Sequence, residues 1–167
     1  MIKNILKVSL SVIVIIYFSS CGFKPMYKLS EGTIDIRNYA VKILNANAIS
    51  REVKEEVTKS FASSLGNYSD FVIEISINEN LDPLIKNTDG TVSKYRIEIV
   101  IDFKVRNKKE SVYLMEDMVR GFAQYTVETS EIESEDKKKR MTRTAANSAI
   151  QMMISKIQSD PSITNDN

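Results

Sequence analysis

The 167-residue sequence contains no histidine and a single cysteine, and these two shortages limit the chemistry that the chain can perform. Without histidine there is no imidazole base, and most zinc and haem sites lose their usual ligand. One cysteine cannot close an intramolecular disulfide. The sequence also lacks a nucleophile motif, a glycine-rich phosphate loop and metal-ligand spacing. We therefore expect a protein that is not an enzyme and holds no metal or other bound cofactor.

A strong excess of either charge is missing as well. Lysine and arginine number 23, aspartate and glutamate number 22, and removing residues 1–20 would leave 21 basic and 22 acidic residues. Such a balance gives no general attraction to nucleic acid. The length suits one domain, and the ordinary apolar and charged fractions favour a folded one.

Residues 1–20 have the layout of a secretory signal peptide. Two lysines precede an apolar run from Val8 to Phe18, and the small residues Ser19 and Ser20 follow that run. The run is shorter than the roughly 20 apolar residues that a membrane-spanning helix needs. The pattern therefore favours an address that is removed over a permanent membrane span.

Cys21 stands directly after the two serines, an arrangement that resembles the lipobox of bacterial lipoproteins. That resemblance implies a thioether-linked diacylglycerol on the thiol and an acylated new amino terminus, and two or three acyl chains anchor a protein stably. Phe18 stands where leucine is usual. Gly22, instead of aspartate, implies delivery to the outer membrane by analogy with Gram-negative lipoprotein sorting. The alternative is a plain signal peptide followed by an incidental cysteine.

After a tether over residues 21–32, hydrophobic periodicity predicts one domain over residues 33–159 and a polar tail over 160–167. Apolar and polar side chains alternate along the predicted strands, which indicates a sheet with one buried and one wet face. The predicted elements are a strand Thr33–Leu44, a helix Ser50–Leu65, strands Phe71–Leu81, Thr91–Arg106 and Ser111–Val127, and a helix Ser130–Ser159. We predict an α+β two-layer sandwich, with two helices on one face of a four-stranded mixed or antiparallel sheet, in the order β-α-β-β-β-α.

Both predicted helices carry signals at their ends. Ser50 can cap the first helix and Gly66 can end it, whereas Ser130 and Glu133 have the spacing of a capping box before the second. Pro161 is expected to stop the second helix.

Three places in the predicted sheet are irregular. Alternation slips near residues 38–40, and a bulge or bend over Glu116–Gly121 would explain why Asp117 interrupts an apolar face and Gly121 leaves a gap in it. Residues 82–90 are predicted to be a loop because Asp82-Pro83 and Asp89-Gly90 are turn signals. Leu84 and Ile85 in that loop form either an exposed contact tip or a fold-back onto the core, and we favour the fold-back.

One dense basic cluster offers a candidate binding site. Lys137, Lys138, Lys139 and Arg140, with Arg143 one turn later, form a helix face that acidic neighbours can balance. The functional alternative is a contact with phosphate or an acidic glycan, since clustered ammonium and guanidinium groups suit phosphate oxygens. Lys94 and Arg96, on the wet face of the third strand, could join such a patch.

Three segments resemble one known family. Cys21-Gly22-Phe23-Lys24-Pro25-Met26-Tyr27 resembles the mature start of LptE, the lipopolysaccharide-assembly lipoprotein. Asp89-Gly90-Thr91-Val92-Ser93-Lys94-Tyr95-Arg96-Ile97 is similar to the entry of that family into its third strand. Gln124-Tyr125 and the alanine-rich helix through Ile157 are similar to its last strand and closing helix. The order of elements agrees along the whole mature chain.

The resemblance implies two helices on a four-stranded sheet and a non-enzymatic role as a plug inside the β-barrel LptD, whose assembly the lipoprotein assists. It also implies lipopolysaccharide as a ligand during transfer to the outer leaflet, with the protein anchored by lipid on the periplasmic face of the outer membrane. Placing lipopolysaccharide phosphates on Lys137–Arg143, Lys94 and Arg96 is a hypothesis from charge. The alternative function is a free-standing outer-membrane lipoprotein that binds phospholipid or another envelope transport component.

Overall fold

A mixed sheet and two helices make up the described part of the chain, residues 39–61, 71–109, 112–160 and 163 of a computed structural model. The predicted order β-α-β-β-β-α and the α+β class are confirmed. The predicted signal segment, Cys21 and the tether lie outside the described residues. The elements are β1 (Ala40–Ile43), α1 (Arg51–Ser60), β2 (Phe71–Lys86), β3 (Val92–Asn107), β4 (Tyr113–Thr126) and α2 (Glu131–Ser159).

The strands lie in the order β1-β2-β3-β4, so that β1 and β4 are the two edges of the sheet. β1 runs parallel to β2, with Val41 opposite Ile73, and the other two pairs are antiparallel. A parallel pair cannot be joined by a tight turn. α1 is the described element that makes this connection.

The core lies between the two helices and one face of the sheet. Alternate residues of β2 and β3 point to this face, as the sequence predicts, because successive strand side chains point to opposite sides. α2 contributes small and aliphatic side chains, and Ile163 is also buried there, beyond the predicted end of the domain at residue 159. The fully buried strand and helix residues are Ile73, Ile75, Ile77, Ile99, Ile101, Phe103 and Val105, and Val53, Val57, Ala145, Ala146, Ala149, Ile150, Met153 and Ile157.

The predicted N-terminal caps of both helices are confirmed. The Ser50 hydroxyl accepts from the Val53 backbone N–H at 3.4 Å, and the Ser130 hydroxyl accepts from the Glu133 N–H at 3.5 Å. Each cap satisfies a backbone donor that has no partner within its helix. No helix in the described ranges combines the length and the apolar character that a membrane crossing requires.

The prediction of a loop over residues 82–90 was wrong for its first half, since β2 continues to Lys86. Pro83 lies opposite Tyr95, and Leu84 is the extra residue of a bulge that follows. Described β1 residues pair with β2 only as far as Ile75, so Pro83 stands on an open edge where a missing N–H costs no ladder bond. The Asp82-Pro83 signal therefore marks a bulge instead of a turn.

The turn between β2 and β3 follows the second signal. The Asn87 N–H donates to the Thr91 carbonyl at 2.8 Å, and Gly90 has a φ of 86°, a left-handed value that glycine tolerates. The Asp89 carboxylate accepts from the Thr91 hydroxyl at 2.7 Å and from its N–H at 2.9 Å. These bonds close the hairpin at residues 87–91.

The predicted bulge over Glu116–Gly121 was also wrong, because pairing with β3 is regular from Met115 to Thr126. The irregularity lies at Leu114, and it changes which side Tyr113 faces. The Lys104 ammonium lies 5.1 Å from the centre of the Tyr113 ring, on the wet face of the sheet. Tyr113 therefore leaves the apolar row to which its sequence position assigned it.

Gly121 needs no bend, because its missing side chain makes room for α2. A Cβ there would lie 2.0 Å from the Ala145 carbonyl oxygen and 2.6 Å from the Ala149 nitrogen. The alanines of α2 and the glycine of β4 thus let helix and strand backbones approach closely. The gap that the sequence shows in the apolar face is filled by the helix itself.

Candidate interaction surfaces

Carboxylates neutralise most of the predicted basic cluster on α2. Three of its five cations have a carboxylate partner, and one of these partners belongs to α1. Exposed pairs of this kind contribute little stability and leave little free charge for an added anion. The pairs are Lys137 with Glu128, Lys138 with Glu135 at 3.4 Å, and Arg143 with Glu55 at 3.0 Å.

Lys139 and Arg140 are the two cluster members without a carboxylate partner among the described residues, and both are exposed. Two open hollows, of about 270 and 170 Å³, flank them, and each hollow has three carboxylates and two cations on its walls. A bound phosphate would therefore meet repulsion beside attraction. The first hollow is lined by Glu128, Glu133, Asp136, Lys137 and Arg140, and the second by Ser50, Glu52, Glu79, Glu135, Lys138, Lys139 and Thr142.

Lys94 and Arg96 do not join this cluster. Both point to the sheet face opposite the helices, where Lys94 lies beside Thr126. The Arg96 guanidinium donates to the Asp82 carboxylate at 3.0 Å and lies 5.9 Å from the centre of the Phe122 ring. The structure therefore separates the predicted site into two surfaces with the sheet between them.

The outer face of the sheet carries a network of cross-strand ion pairs. Sequence alternation predicts its charges, but their partners depend on the register of the strands, which periodicity alone does not determine. Because four cations of this face each have a neighbouring carboxylate, the face is nearly neutral although it is rich in charge. The pairs are Arg96 with Asp82, Lys104 with Glu116 at 2.7 Å, Arg106 with Glu74 at 3.4 Å, and Arg120 with Glu98 at 3.2 Å.

The far end of the β2–β3 hairpin exposes large apolar side chains. Leu81, Leu84 and Ile85 are between 39% and 51% exposed. The fold-back that we favoured from the sequence was wrong, because Leu84 and Ile85 are exposed. Exposed apolar groups clustered on a protein surface often mark an interaction site.

Asp117 and Lys156 form a contact that the sequence did not predict. The Lys156 ammonium, in the last turn of α2, binds the Asp117 carboxylate of β4 and lies 3.3 Å from the Met118 carbonyl oxygen. The hydrogen bond from Lys156, together with one from the Met118 N–H, lowers the pKa of the Asp117 carboxyl. The only sequence signal was the polar interruption at Asp117 in an otherwise apolar row.

The adjacent carboxylates Glu116 and Asp117 serve opposite faces of the sheet. Glu116 pairs with Lys104 on the outer face, whereas Asp117 pairs with Lys156 on the helix side. Side chains on opposite faces of a sheet cannot act together on one substrate. In the ranges that the structure describes, no three histidine, cysteine or carboxylate side chains gather as a metal site would require.

One family model matches nearly the whole domain. The model described as "LptE: Lipopolysaccharide-assembly" matches residues 34–157, a range that includes β1 to β4 and all but the last two residues of α2. Comparison with curated proteins returns no relative similar in sequence.

Solved structures show the same fold at low sequence identity. A lipoprotein from Caulobacter crescentus CB15 has a TM-score of 0.57 and 12% identity, covering 74% of this chain and 90% of that chain. The minor lipoprotein from Acinetobacter baumannii gives 0.53 and 10%, covering 72% and 90%. Lipoprotein B from Nitrosomonas europaea gives 0.51 and 10%, covering 72% and 81%. At these identities the likeness shows the fold alone.

Proposed function

The chain belongs to the LptE lipopolysaccharide-assembly family, and on this premise we propose that it plugs an LptD-like outer-membrane β-barrel and assists the assembly of that barrel. The complex would carry lipopolysaccharide to the cell surface. The match over residues 34–157 is the observation that carries the proposal, since it spans the folded domain. The family is one of non-enzymatic lipoproteins, and the proposed role requires no catalysis.

The anchor in this proposal is Cys21. Diacylglycerol on its thiol and an acyl chain on its amino group would hold the domain at the periplasmic face of the outer membrane. Labelled palmitate should enter the wild-type protein and not the Cys21→Ala variant. Equal labelling of the two proteins would remove Cys21 as the attachment point.

Two described surfaces suit the inside of a barrel. The outer sheet face is charged but internally paired, which fits the polar, hydrated interior of a transmembrane barrel. The exposed tip, defined as Leu81, Leu84 and Ile85, supplies an apolar contact at one end of the sheet. Lipopolysaccharide phosphates would then contact Lys139 and Arg140, which have no carboxylate partner among the described residues. The weaker contributors would be Lys137, Lys138 and Arg143 of the cluster and the outer-face residues Lys94 and Arg96.

Extraction of the full-length lipoprotein in mild detergent tests the plug. The protein should co-purify in equal amounts with a large, heat-modifiable membrane protein that is LptD-like. A double variant, Leu84→Ser with Ile85→Ser, should reduce recovery of the barrel without unfolding the domain. Val112→Ser is the matched control, because Val112 is 64% exposed and lies before β4, outside the tip.

Two other results of the extraction experiment would change the proposal. If the wild-type lipoprotein runs as a free monomer, the plug is wrong and a free-standing lipoprotein that binds phospholipid or another envelope component takes its place. If the barrel co-purifies equally with the tip variant, the plug stands and the tip is not its contact.

A further inference from the structure

The backbone N–H and C=O groups of β4 point alternately to β3 and to the open edge of the sheet. β3 is its one neighbour in the described sheet, and the Val127 N–H donates to the Ser93 carbonyl at 2.9 Å. In an antiparallel pair, alternate residues direct both backbone groups to the partner strand. The odd-numbered residues of β4 therefore bond to β3, and the even-numbered residues direct their N–H and C=O groups outward along the edge.

The first half of this edge is closed. The Met118 N–H donates to the Asp117 carboxylate at 2.6 Å, and the Met118 carbonyl accepts from Lys156 at 3.3 Å. The bulge at Leu114 interrupts the ladder just before this point. Such features prevent another strand from pairing with an edge.

The second half of the edge is open. The outward backbone groups of Arg120, Phe122, Gln124 and Thr126 have no partner in the part of the chain that the structure describes. β4 also lacks lysine and proline, the residues that commonly protect an edge strand. α2 packs closely against this half of the strand at Gly121 and leaves its outward edge uncovered.

Apolar side chains stand on both sides of the open half-edge. Phe122 is 49% exposed on the outer face of the sheet. Met152 is 42% exposed. On α2 it lies between Ala149, which packs at Gly121, and Lys156, which binds at Met118, so it stands beside the start of the open half-edge. An extended segment laid along the edge would present alternate side chains to each of these groups.

We propose that the open half-edge, Arg120–Thr126, binds one extended, apolar segment of the barrel partner as an additional strand. Main-chain hydrogen bonds would supply affinity, and Phe122 and Met152 would select apolar residues on the two sides. This inference rests on the proposed function for the identity of the partner. The length of the open half-edge limits the added strand to about seven residues, one for each position from 120 to 126.

A second copy of the chain would gain no ion pair within the open half-edge. Antiparallel pairing of two β4 strands would oppose Glu116 to Arg120 only if it were centred on Met118, where Asp117 and Lys156 occupy the backbone groups. Pairing centred within the open half-edge, for example on Phe122, places no β4 carboxylate opposite Arg120. Arg120 is already paired with Glu98 of its own chain, so an apolar segment can lie along this edge without a charge opposite Arg120.

A proline substitution tests the added strand. In the full-length lipoprotein, Gln124→Pro removes an outward N–H while the ladder with β3 remains, because proline is tolerated where the N–H faces away from the sheet. Gln124→Ala is the matched control, because it changes the same side chain but keeps the outward N–H. Recovery of the barrel should fall at least about tenfold for Gln124→Pro and stay near the wild-type level for Gln124→Ala. Equal recovery with both variants would overturn the inference.

Hydrogen exchange of the wild-type protein also tests the added strand, and it needs no variant. It therefore serves even if Gln124→Pro fails to fold. In the complex with the barrel, the Phe122 and Gln124 amides should exchange at least about tenfold more slowly than in the barrel-free lipoprotein. If the barrel co-purifies and these amides exchange as fast as before, the added strand is wrong and the plug stands. If no barrel co-purifies, the proposed function itself fails. Protection that rises with the concentration of the lipoprotein alone would overturn the inference in favour of a second copy.

Discussion

Lys156 of α2 binds Asp117 of β4 across the two layers of the domain, and the contact closes part of a sheet edge. The same ammonium lies 3.3 Å from the Met118 carbonyl, so one side chain joins a helix end to a strand and occupies an outward backbone group. A cation in the last turn of a helix is also favoured by the helix dipole. The contact therefore adds stability and limits which strands can pair with β4.

Substitution of Lys156 tests its contribution to stability and its protection of the β4 edge by separate measurements. Lys156→Met keeps most of the side-chain stem and removes the charge, so the free energy of unfolding should fall by at most about 1 kcal/mol, as expected for an exposed pair. The uncovered edge should also promote concentration-dependent association, measured by light scattering. Lys138→Met is the control, because it removes a pair with Glu135 on the same helix away from the edge. Identical scattering by the two variants would show that Lys156 does not protect the edge.

The Asp117 pair also predicts a pH dependence. Hydrogen bonds from Lys156 and from the Met118 N–H place the pKa of the folded Asp117 carboxyl below its ordinary value of 3.8. A lowered pKa means that the stabilisation is fully present above about 3.8 and is lost as the pH falls through the folded pKa. Urea unfolding should therefore show wild type more stable than Asp117→Asn at about pH 6, and the difference should shrink as the pH falls below about 3.8. A difference that persists undiminished at low pH would assign the effect to something other than this ionisation.

Periodicity predicted the elements of this domain because burial decides them. The alternation of Ile97, Ile99 and Ile101 indicates which face of β3 is buried, and the structure confirms it. Capping was equally local, since Ser50 and Ser130 each bond within three residues. These features depend on near neighbours in the chain, so they are visible in the sequence.

The features that the sequence missed depend on contacts between distant residues. Leu114 carries the bulge that we expected over Glu116–Gly121, because the register of β3 and β4 decides where an extra residue stands. The partner of Asp117 is 39 residues away in the chain. The sequence also did not predict that Leu84 and Ile85 are exposed, because their exposure depends on how far the helices extend over the sheet.

Gly121 gives a steric prediction. A Cβ at this position would lie 2.0 Å from the Ala145 carbonyl oxygen, so Gly121→Ala must displace the backbone of α2. Overpacking of this kind costs about 1–3 kcal/mol or more, which urea unfolding would measure. Gly90→Ala is the control, because a Cβ at Gly90 meets open space and its cost of about 1 kcal/mol comes from the positive φ alone. A loss for Gly121→Ala no larger than that for Gly90→Ala would contradict the close approach of helix and strand.

Substitution of Arg140 and of Arg143, which lie one turn apart on α2, tests whether the basic cluster binds lipopolysaccharide. Arg140 has no carboxylate partner among the described residues, whereas the Arg143 guanidinium lies 3.0 Å from the Glu55 carboxylate of α1. Because Arg140 has no competing partner, its charge remains available to a phosphate. Arg140→Ala should therefore weaken binding of lipopolysaccharide about fivefold at low salt, the equivalent of roughly 1 kcal/mol, and leave the unfolding midpoint unchanged.

Arg143→Ala should give the opposite result. Loss of the link to Glu55 should lower the unfolding midpoint slightly and change lipopolysaccharide affinity little, because that guanidinium is already paired. The Glu55 carboxyl has a lowered pKa through hydrogen bonds from Arg51 and then Arg143, so part of that lowering should disappear in the variant. Affinity measured by fluorescence titration and stability measured in urea distinguish the two arginines. If neither substitution changes lipopolysaccharide affinity at low salt, the cluster is a solvated helix face and the contact with phosphate lies elsewhere on the domain.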